Sequence, residues 1–433
     1  MNTEHPFSGM SPQQRTGHRK RAIHTGPAFR AMRAVLIAAS LFATAAQAQV
    51  PQEDPLQGDG GVSAFYTWSG ALPAAPGQLL RQEPLPPALA LEHAGQQIRV
   101  LYTATNGVAG QGIVAVSGAV FLPKGEPPKG GWPIMAWAHG TVGVADVCAP
   151  SWAGRSERDV RYLNAWLEQG YAIVASDYQG LGVPGPHPYL NARPEAYSVL
   201  DAVRAALKME PRLANKVVII GQSQGGGATF ATAAFAPTYA PDVHVVGAVA
   251  TGAPYFDPRA SAQLPRSNAA NTHPGALGYM MYSVLNAVQI NPALNLDEVL
   301  VPAARPLLER ARTHCVADMM AAAEKLGMFR DDAFKPGMLN KMYAPMYPLL
   351  MYPTVKLAMP LFMGTGDKDT DVMPQLQRIL AADACAAGTT VEYHVYPGAD
   401  HSAAVNGSLV DSVPFVRKVF AGERIAAQCP AAQ

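Results

Sequence analysis

The chain has 433 residues, 49% of them hydrophobic and 15% charged, with 33 basic against 32 acidic side chains. That composition excludes a disordered or fibrous protein and supplies apolar material for one large core with room for an insertion. The near-neutral balance gives no electrostatic footprint for nucleic acid.

The first 48 residues stand apart from the rest. Arg15, Arg19, Lys20, Arg21, Arg30 and Arg33 precede an apolar run over 34–46, and Ala46-Gln47-Ala48 ends it. This is the order of a secretory signal peptide cleaved after Ala48, and it predicts a secreted or periplasmic protein. The run is too short for a membrane span. Cleavage removes six of the 33 basic side chains and one of the 32 acidic ones, Glu4, so 27 face 31 and the mature chain carries a net charge of −4. No nucleic-acid partner is implied, and no basic amphipathic stretch suggests a membrane surface.

Residues 49–96 read as an extended arm, rich in Pro, Gly and Gln as far as Pro87 and without an apolar period. Over 97–252, strand patterns recur at 98–103, 113–121, 134–138, 172–176, 217–220 and 243–250, with helical spacing at 158–168, 194–208 and 225–236. The alternation resumes over 358–433, with strands at 361–363 and 391–395 and helices at 373–384 and 413–420. It predicts an α/β fold: a mostly parallel sheet of about eight strands, covered on both faces, with antiparallel strands at the start. Between 253 and 357 the strand signal stops, and helical patterns at 277–288, 296–300, 306–312 and 316–326 predict an inserted cap. Nine of the 17 methionines fall in this interval. At helical spacing they serve either as cap core or as an adaptable apolar wall suited to acyl chains.

Four cysteines, Cys148, Cys315, Cys385 and Cys429, lie in the mature part. An even number in an exported chain reads as two disulfides, for which three connectivities exist. Cys385 and Cys429 both lie late in the chain while Cys148 and Cys315 flank its middle, which favours those two pairs.

The strand pattern at 217–220 runs into Gly221, Gln222, Ser223, Gln224 and Gly225, and a helical pattern follows. A G-x-S-x-G pentapeptide alone is weak and could be a Gly-rich loop, and a phosphate-binding loop is excluded because no Lys-Ser or Lys-Thr follows. Placed between strand and helix, it has the form of a nucleophile elbow, with Ser223 at its tip. A serine hydroxyl needs a base within hydrogen-bond reach and a carboxylate to orient that base, in the chain order serine, acid, histidine. Of the histidines after Ser223, only His401 falls in a turn just past a strand pattern. The acid is sought in the loop after 361–363, where Asp367, Asp369 and Asp371 alternate. Asp369 is the preferred choice, three residues beyond Gly366, with Asp367 as the alternative. A calcium loop does not fit, because positions six and twelve counted from Asp367 are Val372 and Arg378. The oxyanion donors expected are the N–H groups of Gln224 and of Thr141, which follows the strand at 134–138, while His139 beside it reads as a structural brace. Such a triad requires no cofactor and no metal.

Five segments combine: HGTVGVADVCAPS from His139, GYAIVASDYQGLG from Gly170, GQSQGG from Gly221, GTGDKDTDV from Gly364 and YPGADHS from Tyr396. Over about 65–429 the chain thereby resembles the secretory lipase family of α/β-hydrolases, the yeast lipase A type and related exported bacterial esterases. The resemblance implies an ester hydrolase with a helical lid, Ser223 as nucleophile and His401 as base. Its G-x-x-D-x-x-V pattern is met by Gly366, Asp369 and Val372, with the extra aspartates as a departure. The expected activity is that of a secreted carboxylic ester hydrolase acting on a small-molecule or lipid ester through an acyl-enzyme. A serine peptidase or amidase on the same fold is the alternative, and a non-catalytic binding module is a third reading that an intact triad disfavours.

Overall fold

A computed structural model describes residues 58–263 and 273–431. The expected signal peptide lies outside the described residues. Among the described residues nine strands form one sheet: β1 (Leu79–Pro84), β2 (Ala94–Thr105), β3 (Ile113–Pro123), β4 (Trp132–Ala138), β5 (Ala172–Ser176), β6 (Leu213–Gln222), β7 (Val245–Thr251), β8 (Leu361–Gly366) and β9 (Val391–Tyr396). Their spatial order is β1-β2-β3-β5-β4-β6-β7-β8-β9. The first three pairings are antiparallel and the remaining five parallel. The expected count of about eight is one short. The missed strand, β1, lies in the segment read as an arm, where Leu-Leu-Arg-Gln-Glu-Pro shows no apolar alternation because it pairs only with β2, at the sheet edge.

The central strands read as unbroken apolar runs because both sides of the sheet are covered. Along β6, Val217 and Ile219 join one core and Val218 and Ile220 the other. The second core is closed by α1 (Glu157–Glu168), through Tyr162, Leu163 and Trp166. Ser156 caps α1 by accepting the Asp159 N–H at 3.2 Å, and Glu157 and Asp159 in the first turn complement the helix dipole. The opposite core is closed by α2 (Ala192–Met209) and α3 (Gln224–Tyr239), through Val199, Leu200, Val203 and Phe230.

Between β7 and β8 the described residues are mainly helical. Its longest helices are α4 (Ala276–Ile290), α5 (Arg305–Ala311) and α6 (Val316–Leu326), which enclose a core of their own with Leu285, Leu308 and Met319 at its centre. After β8, α7 (Pro374–Ala386) packs on the α2/α3 side, and after β9, α8 (Leu409–Ala421) returns to α1's side with Phe415 and Val416. Disulfides join Cys148 to Cys315 and Cys385 to Cys429, the pairing favoured from sequence. The first ties the N-terminus of α6 to the loop after β4, where the Val316 N–H also donates to Val142 O at 2.8 Å.

Candidate active site

β6 ends at Gln222, and the chain reverses into α3 through Ser223 at φ 59° and ψ −125°. A non-glycine residue there sits in a sparsely populated region that costs about 1–3 kcal/mol, offset by the surroundings that hold it. The glycines either side are required by contact: a Cβ on Gly221 would run into the Gly225 carbonyl, and one on Gly225 into the Ala138 carbonyl. The turn is held by the Ser223 N–H donating to Thr251 O at 2.9 Å and by the Gly227 N–H donating to Ser223 O at 3.0 Å.

At the C-terminal ends of the next strands, Asp369 and His401 meet. His401 Nδ1 donates to Asp369 Oδ2 at 2.7 Å, and both side chains are buried. The remaining lone pairs of the carboxylate are filled: Gln377 Nε2 donates to Oδ2 at 2.9 Å, and the Asp371 and Val372 N–H groups donate to Oδ1 at 3.0 and 2.8 Å. With Nδ1 occupied, the proton-accepting nitrogen of a neutral His401 is Nε2. The imidazole lies on Gly252, where an added Cβ would stand 2.7 Å from its Cε1. Gly252 directly follows Thr251, the residue whose carbonyl receives the Ser223 N–H, so the ring and the serine are gathered at one strand end.

Asp367 is exposed, and its Oδ1 accepts the Gly398 N–H at 2.7 Å. It braces the turn before His401 instead of meeting the imidazole. The structure therefore brings Asp369, and not the alternative Asp367, to the histidine.

The loop after β4 leans against the elbow: a Cβ on Gly140 would lie 3.6 Å from Ser223 Cβ. Thr141, Ser223 and Gln224 line one cavity of about 340 Å³. Thr141 Oγ1 pairs with Tyr189 OH at 2.8 Å. His139 stays out of the cavity, buried with Nδ1 2.7 Å from Gly140 O and Nε2 3.2 Å from Asp177 O, as a brace for the turn. The cavity wall is aromatic, with Tyr189, Tyr255, Tyr279, Tyr343 and Tyr347, and of the nine cap methionines only Met280 reaches it. Met281, Met319, Met342 and Met346 are buried in the cap's own core, so core filling is the outcome of the two methionine readings.

Three residues of this region have no motif in the sequence. Gln377 orients Asp369 from α7. Glu195, on the inward face of α2, and His187, in the loop after β5, flank the Gln224 side chain, whose Nε2 lies 2.7 Å from Glu195 Oε1 and 3.2 Å from His187 Nε2. Burial pushes the Glu195 carboxyl up to about 8, against the hydrogen bonds from Gln224 and the Leu190 N–H. Burial likewise lowers His187 to about 4, opposed by its bond to Gln179 O. The available signal was a charged residue at 195 in register with the apolar positions 199 and 203.

A serine at positive φ between a parallel strand and its helix, with a carboxylate-bound histidine beyond the last strand, marks an α/β-hydrolase. The chain belongs to the secretory lipase family, whose sequence model matches residues 155–426. It is 26% identical over 404 residues to lipase A of Moesziomyces aphidis, covering 86% of this chain and 80% of that one. The fold is similar to that of Candida antarctica lipase A solved in its closed state, with a TM-score of 0.66 at 22% identity over 88% of this chain and 89% of the other. Family and fold make the protein a member of the lipase and esterase class of hydrolases. Another relative, 27% identical over 222 residues that cover 48% of this chain and 46% of that one, is named a probable inactive lipase of Mycobacterium tuberculosis. The reaction therefore turns on the residues of this site.

Proposed function

We propose that the protein is an exported carboxylic ester hydrolase working through Ser223, His401 and Asp369 and an acyl-enzyme intermediate. The observation that carries this reading is the gathering, beyond the C-terminal ends of β6, β8 and β9, of a strained serine, the fully hydrogen-bonded Asp369 carboxylate and a buried histidine. Ser223 Oγ attacks the ester carbonyl while His401 Nε2 takes its proton. Asp369 holds the imidazole in the required tautomer and stabilises the imidazolium that forms. The Gln224 and Thr141 N–H groups receive the developing oxyanion, and His401 returns the proton to the leaving alcohol. Water then repeats the sequence to free the acid. Export through the N-terminal leader agrees with two disulfides, which persist in oxidising compartments. The cap over 253–357 contributes Tyr255, Tyr279, Tyr343 and Tyr347 to the aromatic wall that faces the ester.

Amide hydrolysis is the competing reading, and Asp371 in the cavity lining is the group that could receive a substrate amine. That carboxylate is already engaged, since His273 Nε2 lies 2.9 Å from its Oδ1. The test is turnover of a chain-length series of nitrophenyl esters and of aminoacyl anilides by the purified protein and by Ser223→Ala. Ester turnover abolished in the variant is expected. Turnover that survives the substitution refutes the mechanism, and anilide turnover exceeding ester turnover transfers the assignment to an amidase.

A further inference from the structure

Gln224 opens α3 directly after Ser223 and lines the cavity, and its main-chain N–H is an oxyanion donor of the proposed mechanism. Its side chain is buried, at 2% exposure. The amide Nε2 is held between Glu195 Oε1 at 2.7 Å and His187 Nε2 at 3.2 Å, and its Oε1 has no hydrogen-bond partner among the described residues. Both acceptors are themselves oriented by main chain: the Leu190 N–H donates to Glu195 Oε1 at 3.0 Å, and His187 Nδ1 donates to Gln179 O at 2.9 Å. With its proton on Nδ1, His187 offers only a lone pair at Nε2, so Gln224 must present N–H to it. The orientation of the amide follows from that tautomer.

We propose that Glu195 is a positioning residue of the active site: as a neutral acid it anchors the Gln224 side chain and so holds the Gln224 N–H on the developing oxyanion. The proposal rests on the serine-hydrolase reading of Ser223. Glu195 Oε1, which accepts both N–H bonds, is then the carbonyl oxygen, and the acid proton sits on Oε2. The titratable groups around it are the His187 imidazole and the Tyr178 and Tyr352 phenols, with His139 beyond His187. Burial keeps each of these neutral, lowering the histidines and raising the phenols, so none supplies a positive charge to a Glu195 carboxylate. The same burial places the loss of the Glu195 proton near pH 8. An ionised Glu195 would put a negative charge one glutamine side chain behind the oxyanion, roughly 8 Å away from covalent lengths, and would slow acylation roughly thirtyfold at an effective dielectric near 20. Turnover should thus fall above pH 8, where a triad base alone produces a plateau.

The experiment compares the purified protein with Glu195→Gln and Glu195→Ala by kcat and KM for a nitrophenyl ester and by the rate at which diethyl nitrophenyl phosphate labels Ser223, from pH 6 to 10. Glutamine keeps an acceptor for Gln224 without a charge, so Glu195→Gln should recover the turnover that Glu195→Ala loses and should lack the alkaline descent. Glu195→Ala should lower kcat about tenfold with KM little changed, the pattern of a contact made only in the transition state. An alkaline descent in Glu195→Gln equal to that of the parent overturns the proposal, as does a folded Glu195→Ala with unchanged kcat. Labelling with the expected pH pattern but no ester turnover overturns the ester reading and supports the positioning role. No labelling of the parent protein overturns both.

Discussion

Replacing Asp369 by Asn separates the two candidate acids with a change of only one atom. The amide oxygen can keep the Asp371 and Val372 N–H bonds at 3.0 and 2.8 Å. The amide nitrogen then takes the place of Oδ2 and faces two donors, Gln377 Nε2 at 2.9 Å and His401 Nδ1 at 2.7 Å. His401 relieves the clash by moving its proton to Nε2, the nitrogen that must accept the serine proton. The imidazolium formed in the transition state also loses its counter-charge, about 4 kcal/mol for a pair about 4 Å apart at an effective dielectric near 20. At about 1.4 kcal/mol per factor of ten this is roughly three decades, and the wrong tautomer takes the expected loss in kcat to about 10³–10⁴-fold. Asp367→Asn disturbs only an exposed bond to the Gly398 N–H, so its kcat should stay within about threefold of the parent. Steady-state hydrolysis of nitrophenyl butyrate by both variants, with far-UV circular dichroism to establish folding, makes the comparison. Asp369→Asn retaining more than about a tenth of the parent kcat, or Asp367→Asn falling equally far, would refute the assignment of Asp369.

Other consequences can be measured alongside. Removing the Gln377 amide with Gln377→Leu leaves Asp369 Oδ2 to His401 alone and should lower kcat about tenfold with KM little changed, which initial-rate kinetics will decide. The cavity of about 340 Å³ is near the lower end of the range for small-molecule sites, about 300–1,000 Å³, and five tyrosines line it. Nitrophenyl butyrate should therefore be turned over faster than the palmitate, and the reverse order would show that the cavity enlarges during the reaction. The Cys148–Cys315 bridge spans 167 residues, so Cys148→Ser with Cys315→Ser should destabilise the protein by up to about 5 kcal/mol on the chain-entropy estimate. An unchanged urea midpoint would contradict that. Stability should also depend on pH from two directions. The Glu195 pKa is raised from 4.5 to about 8, so its contribution is present below 4.5 and is lost as pH rises through 8. The His187 pKa is depressed from 6.5 to about 4, so its contribution is present above 6.5 and is lost as pH falls through 4. Urea midpoints across pH 4–9 should show the alkaline loss flatten in Glu195→Gln and the acid loss persist there.

What the sequence determined by itself is what neighbouring residues decide together. The apolar run ending at Gly221, the glycines either side of Ser223 and the helical spacing after them mark the elbow because strand, turn and helix each have their own local chemistry. His401 could be read in the same way, since a turn just past a strand is a local property. So could the alternation of strand and helix that makes the sheet parallel. The edge strand β1 left no such mark, because a strand paired on one side needs no apolar alternation. The sequence preferred Asp369 over Asp367, two aspartates in one loop, but only tertiary structure shows that Asp369 is the one buried against a histidine 32 residues away. It also set the tyrosines that line the cavity and buried four of the nine cap methionines in the cap's own core. Glu195 and His187 acquire their significance only where the fold carries them behind Gln224, 29 and 37 residues further along the chain. Burial there sets their protonation, and burial is a property of the assembled core that no short stretch of sequence contains.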